Sequence, residues 1–359
     1  MGSAFKGRGW IVALVVAFLG AGHVAVSRGA QAVTDGRVIG LDHVGRMVSD
    51  LDRSLRFYTT LGFVQDAGVD GSWHQDAALD RLLGTKGAQT REARLVLNSN
   101  LSGQPFALVL MQLRGVPRKV LSGYVPWEPG ASHFGMVVPD APALWARLKA
   151  EGQLWARSWG AELIPFPGQT TGALAYLTDP DGLDIELINQ RPAAPAQDGR
   201  PANPGSPPGF NHIGLVVLDS DKARAFYETV LGGKVRTTEA PWVSGDFYDS
   251  VVGGHGNILR FYNEVYPEVA APQHSMAFEL VEFQNRKKPV TTYSLADVGV
   301  GYLALQVEGL DQLLSRATDA QAKMVSAGGI VKLKDGTRAV FIRDPDVGGF
   351  VELFEPPRH

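Results

Sequence analysis

Two stretches of the chain repeat one order of apolar and polar positions. Leu41-Asp42-His43-Val44-Gly45 opens LDHVGRMVSDLDRSLRFYTTLGF, and Phe210-Asn211-His212-Ile213-Gly214 opens FNHIGLVVLDSDKARAFYETVLG. Each starts as a strand, whose successive side chains face opposite ways, and passes through Asp into an amphipathic helix. Ser132–Val138 followed by APALWARLKAEG, and Gly301–Val307 followed by LDQLLSRATDAQAKM, have the same strand-then-helix order. About three further strand candidates follow each opening. In the first half they include Ala93–Asn98, Phe106–Leu113, Glu162–Pro165, Ala173–Leu177 and Ile185–Asn189. The pattern predicts an α+β chain of four βαβββ units.

The alternation assigns faces. Phe134, Met136 and Val138 line one face and suit packing on a helix, while His133, Gly135 and Val137 face away. Ile213, Leu215 and Val217 pack likewise, against His212, Gly214 and Val216 on the other side. A Gly two places after His leaves space beside the imidazole, which a bound substrate would occupy. Arg46 falls on the packing face of the first unit; either it snorkels to the edge or the strand's register departs there.

Residues 191–209 are rich in Pro, Ala and Gly and read as a solvated linker. This divides the chain into domains 38–190, with units about 38–113 and 131–190, and 210–359, with units about 210–284 and 299–356. Residues 1–32 read as an export signal. Lys6 and Arg8 precede the apolar run Trp10–Leu19, and Ala30-Gln31-Ala32 is a small-x-small cleavage site. The expectation is a periplasmic or secreted protein starting near Val33, with no stable membrane insertion.

The 359 residues include no Cys, which rules out thiolate nucleophiles, disulfides and Cys-type zinc sites. A metal site here must draw on His, Asp, Glu, Tyr or backbone oxygens. The formal net charge of −3 gives no electrostatic reason for a nucleic-acid partner. Asp179-Pro180-Asp181-Gly182 and Asp344-Pro345-Asp346 are acidic but read as turns.

The two openings, together with the endings AYLTDPDGLDIELIN and VFIRDPDVGGFVELFEP, resemble the vicinal oxygen chelate superfamily. That group includes glyoxalase I, extradiol ring-cleavage dioxygenases, methylmalonyl-CoA epimerase and bleomycin or fosfomycin resistance proteins. The resemblance implies two domains, each a curved mixed sheet around a cavity with helices outside. It places metal ligands on the first and last strands of each unit. In the first domain it offers His43, His133 and Glu186, with Val109 unable to ligate. Two His and one carboxylate have the composition of a facial triad. By the same resemblance Tyr176 lies beside the substrate. Extradiol dioxygenases also carry an acid–base His near the end of the first unit, where this chain has none between His74 and His133, so His74 in the Gly71–His74 loop is the candidate. In the second domain the ligand positions hold His212, Glu279 and Glu352, with Tyr302 at the fourth as a substrate contact. There Val347-Gly348-Gly349 adds a residue that could turn Glu352 to the wrong face. The loop RGVPRKVLSGYVPWEPG offers Arg118, Tyr124 and Trp127 as substrate contacts.

The implied cofactor is a divalent metal, Fe(II) or Mn(II) ahead of Zn(II) or Ni(II). The implied function is a metal-dependent enzyme on a small oxygenated compound, of catechol type if aromatic. Extradiol-like ring cleavage stands slightly ahead of glyoxalase-type isomerase or lyase chemistry. A non-catalytic exported binding protein is the alternative from another class. Monomer and homodimer are both compatible with tandem domains.

Overall fold

The computed structural model describes residues 36–66, 71–97, 105–120, 125–128, 132–168, 172–189, 208–236, 240–267, 269, 275–286 and 293–357. The export segment, the linker up to residue 207 and Tyr124 lie outside the described residues.

The first unit runs β1 (Arg37–Met47), α1 (Leu51–Thr60), β2 (Val64–Gln65), α2 (Ala77–Leu83), β3 (Gln89–Leu97) and β4 (Phe106–Arg114). The second runs β5 (Ser132–Val137), α3 (Ala141–Ala150), β6 (Trp155–Ala156), β7 (Ile164–Pro165), β8 (Ala173–Thr178) and β9 (Asp184–Asn189). The third comprises β10 (Gly209–Val217), α4 (Ser220–Thr229), β11 (Lys234–Val235), β12 (Val243–Ser244), α5 (Asp246–Val252), β13 (Ile258–Pro267) and β14 (Ser275–Phe283). The fourth comprises β15 (Gly301–Glu308), α6 (Leu310–Asp319), β16 (Lys323–Met324), β17 (Val331–Lys332), β18 (Arg338–Arg343) and β19 (Phe350–Glu355). The Asp after each of the first three opening strands caps a helix. Asp50, Asp140 and Asp219 accept from the backbone N–H of Arg53, Ala143 and Lys222. No described helix is long and apolar enough to cross a membrane.

The hydrogen bonding departs from the expectation that each sequence half closes its own sheet. β1 pairs parallel with β4 of its own unit and antiparallel with β15 of the fourth. β10 pairs parallel with β14 and antiparallel with β5 of the second unit. One nine-stranded sheet therefore joins units one and four, and a ten-stranded sheet joins units two and three. All four opening strands carry the same alternation, so any two satisfy each other's edge equally well. The pattern alone does not choose partners.

One face of each sheet packs into a shared core with the unit helices. That core takes Leu51, Phe57 and Tyr58 from α1, Leu148 from α3, Phe226 from α4 and Leu313 from α6. Phe106 and Phe210, from different sheets, stack with centroids 4.2 Å apart. Burial of this apolar surface is the main stabilising term.

Arg46 does not snorkel. It is 1% exposed and pairs with Asp179, its Nε donating at 3.3 Å and Nη2 at 3.4 Å, while Nη1 donates to the Gly299 carbonyl. Tyr58 Oη donates to the same carboxylate at 2.9 Å. The acidic tripeptides are turns, as expected. Asp179 Oδ1 accepts from the N–H groups of Asp181 and Leu183, and Asp344 Oδ1 from those of Asp346 and Val347.

Candidate metal centre

The second sheet brings four potential ligands to one point. Gly214 of β10 has two cross-strand partners, His133 on β5 and Glu279 on β14. His212, two residues earlier, pairs with Gly135, which in turn pairs with Glu186 on β9. Alternation then aims His133, Glu186, His212 and Glu279 from one face.

The histidine Nε2 atoms lie 3.0 Å apart. Glu186 Oε2 is 3.1 Å from the His212 nitrogen and 3.7 Å from that of His133. Glu279 Oε2 lies 3.6 Å from His133 and 3.9 Å from His212. The ligand atoms of His133, Glu186 and His212 all fall within 4.8 Å of one another.

The glycines two places after each His have a different role from the one expected. A Cβ on Gly214 would meet the His133 ring at 1.9 Å, and one on Gly135 would meet the His212 ring at 2.4 Å. Each glycine makes room for the opposite imidazole, which takes the space assigned to substrate.

Neighbours orient the ligands. His212 Nδ1–H donates to Asn211 Oδ1 at 2.9 Å, which turns Nε2 toward the cluster. Tyr176 Oη donates to Glu186 Oε2 at 3.1 Å, and its ring lies edge-on to His133 at 5.4 Å. Asp184, two residues before Glu186, accepts from Arg157 Nε at 2.9 Å.

The electrostatics are those of a cation site. Burial, with the His212 charge, pushes His133 down to about 3. Burial opposes protonation of His212, but Glu186 and Glu279 outweigh it and raise the ring to about 9. Burial raises Glu279 to about 7, against His212 and with help from Glu186. Glu186 is held low, because the His212 charge and hydrogen bond overcome its desolvation.

These residues fit a divalent metal. Donors bound to one ion at the usual 2.0–2.2 Å are separated by roughly 3.0–3.4 Å, close to the shorter spacings here. Two neutral imidazoles and two carboxylates neutralise a +2 ion.

The first sheet carries the same register with different residues. Gly45 pairs with Tyr302 and Val109 where Gly214 pairs with His133 and Glu279. His43 pairs with Ala304, which pairs with Glu352. Glu352 thus holds its register position. The extra residue is absorbed in the turn, where Asp344 N–H donates to the Gly349 carbonyl while Asp179 N–H reaches Leu183. A Cβ on Gly45 would meet the Tyr302 ring at 1.8 Å. Tyr302 packs with Met47, Met111, Phe341 and Phe350 and fills this face. It is a plug, not the substrate contact expected.

The triad His43, His133 and Glu186 is therefore not assembled. His43 lies on the other sheet, with Nδ1 2.8 Å from Asp42 and its ring edge-on to Tyr302. The paired set His212, Glu279 and Glu352 is divided in the same way. His74 belongs to the first sheet, bridged to Thr90 and exposed, so it does not reach the four-ligand cluster. Arg118 donates to the Val48 carbonyl at 3.4 Å and serves the junction beside β1. Trp127 does border the second sheet's site face, packed with Val216, Leu259, Val281 and Phe283. Asn211 and the Arg157–Asp184 pair were missed. The Asp-His and Asn-His dipeptides were the available signal for the first.

Comparison with known proteins agrees with this architecture. The chain is 27% identical over 206 residues to a probable chloroplastic lactoylglutathione lyase of Arabidopsis thaliana, across 55% of this chain and 46% of that protein. It spans about half the length of that relative. Glyoxalase I from Zea mays has the same fold, at TM-score 0.54 and 20% identity, with 89% of this chain and 92% of the other covered. A single-residue variant of that enzyme gives TM-score 0.55 at 19% identity, with 89% and 94% covered. Models described as Glyoxalase/Bleomycin resistance protein/Dioxygenase superfamily match residues 40–187 and 211–341. The first match contains His133 and Glu186 and the second His212 and Glu279, so the ligand set and the fold converge: the chain belongs to the glyoxalase/bleomycin resistance protein/dioxygenase superfamily.

Proposed function

We propose that the chain is a divalent-metal isomerase or lyase that moves a proton on a small molecule with two neighbouring oxygens. The observation that carries this reading is the unequal holding of the two carboxylates. Glu186 is fixed by Tyr176 and sits 3.1 Å from His212. Glu279 has only longer contacts, at 3.6 and 3.9 Å, and its carboxyl is raised to about 7. The more loosely held carboxylate is the one able to leave the ligand row and serve as general base and then general acid.

His133, His212, Glu186 and Glu279 would hold the metal. Once bound, it would polarise the substrate oxygens and acidify the adjoining C–H. Glu279 then accepts that proton and returns it to the neighbouring carbon. Tyr176 keeps Glu186 oriented and ionised, and Asn211 keeps the His212 tautomer. Four donors suit Zn(II) or Ni(II) better than the Fe(II) or Mn(II) that a three-donor face suggests.

Oxidative ring cleavage is the second reading. Tyr176 at the site favours it, while the fourth donor and the remote position of His74 weigh against it.

The test compares Glu279→Gln with the unaltered protein, both loaded with metal, on a 2-oxoaldehyde–thiol adduct in deuterated water. The expected result is retained metal with C–H exchange slowed at least about 100-fold. Unchanged exchange would overturn the assignment. Export is part of the same proposal and rests on residues 1–32; N-terminal sequencing of the released protein tests it.

A further inference from the structure

The strands that supply two of the ligands continue into an apolar wall. On β10 the site face runs His212, Gly214, Val216. On β14 it runs Glu279, Val281, Phe283, and on the adjoining β13 the register partners of these three are Asn263, Phe261 and Leu259. Two residues beyond the ligand row, the face therefore changes from polar to apolar. Val216, Leu259, Val281 and Phe283 are buried, while Phe261, Tyr248 and Trp127 stay partly exposed along its rim.

Of the nearby described cations, Arg157 is neutralised by a carboxylate, whereas Arg286 has neutral partners at the Trp127 rim. Arg157 bonds Asp184 at 2.9 Å. Arg286 lies over Trp127, 4.3 Å from its ring centroid, and donates to Asn257 at 2.9 Å. The matching face of the first sheet is filled by its own cluster around Tyr302. The second sheet has a smaller cluster and a partly exposed aromatic rim, next to the ligands. An anionic tail laid on Val281 and Phe261 would be desolvated among apolar side chains, whereas an apolar body would gain by burial.

We propose that the site takes a substrate whose chelating oxygens are carried on an uncharged apolar body of aromatic size, with Phe261 as a specificity-determining residue. The inference rests on the metal reading of the preceding section and names the substrate class of that site. The alternation that places ligands and wall on one face gives both parts of the substrate their positions. The oxygens meet the row of His212 and Glu279, and the body extends along Val281 and Phe261.

Three hydroxamates with one chelating head separate the cases: benzohydroxamate, acetohydroxamate and succinic monohydroxamate. Their affinities are measured by titration calorimetry on the full chain loaded with Zn(II), and on the metal-free chain. The expected order is benzohydroxamate at least about tenfold tighter than acetohydroxamate, with the carboxylate-tailed compound weakest. Phe261→Ala should erase most of the aromatic advantage, and Phe261→Leu should keep part of it, while neither changes acetohydroxamate binding. Equal affinities for the three in metal-loaded protein, or tightest binding of the anionic one, would overturn the substrate class and leave the metal site standing. Failure of all three to bind in a metal-dependent way would overturn the metal reading, and this inference with it.

Discussion

His133 from the second unit and His212 from the third point their Nε2 atoms at each other across 3.0 Å, from opposite sides of the linker that divides the sequence. Neither half of the chain contains the whole ligand set. Glu186 comes with His133 and Glu279 with His212, so the centre exists only when the two middle units share a sheet.

Tyr176 acts on the centre through Glu186. Tyr176→Phe removes the hydroxyl that donates at 3.1 Å and leaves the carboxylate with one fewer partner. Loss of such a supporting group typically costs about 10–100-fold in metal affinity. Competition against a chelator of known affinity should show a loss near the lower end of that range, with the fold unchanged by circular dichroism.

The first sheet is a filled copy of the second. Val109 stands in register where Glu279 stands, and Tyr302 where His133 stands. The double substitution Val109→Glu with Tyr302→His completes the set beside His43 and Glu352. Elemental analysis should then show metal per chain rising from about one to about two. Tyr302→Phe, which adds no donor, should leave it at about one.

Arg46 and Asp179 form a buried pair that joins the first unit to the second. Its counterpart after His212 is Leu215, facing the turn at Asp344, whose carboxyl burial raises to about 6. Arg46→Leu would leave the Asp179 carboxylate buried without its cation. Breaking a buried pair in this way costs about 3–5 kcal/mol. Urea unfolding should register that loss, and a change under about 1 kcal/mol would contradict the pairing.

Much of this was legible in the chain. Strand alternation and the DHVG and NHIG openings identified the four units. The endings located Glu186 and Glu352, and every member of the ligand cluster was named. The pairing of units was not legible, because β1 could satisfy β5 or β15 with the same alternation and only the folded chain brings Gly45 beside Tyr302. For the same reason Arg46 looked misplaced. Its partner Asp179 lies 133 residues away, and no local pattern records that contact. Tyr302 looked like a substrate contact because its strand position is a ligand position, yet its ring fills the space over Gly45.

Glu264 on β13 adds a pH dependence outside the site. It is fully buried, and neither carboxylate oxygen has a hydrogen-bond partner among the described residues. Burial raises it to about 7, with Glu228 adding to the rise and Arg224 opposing it. The unfolded chain has an ordinary glutamate near 4.3, so between about 4.3 and 7 the folded state binds more protons. The contribution to stability is present at low pH and is lost as pH rises through that window. Glu264→Gln should flatten this part of the profile and stabilise the protein at pH 8 by about 1–3 kcal/mol. Unfolding at pH 5 and pH 8 measures the difference.

The central claim is that the metal centre is built across the sequence halves, from His133, Glu186, His212 and Glu279. Metal content of the full chain and of two single variants tests it most directly. The account predicts about one divalent ion per chain, lost in His212→Ala and retained in His43→Ala. Retention in His212→Ala together with loss in His43→Ala would contradict it.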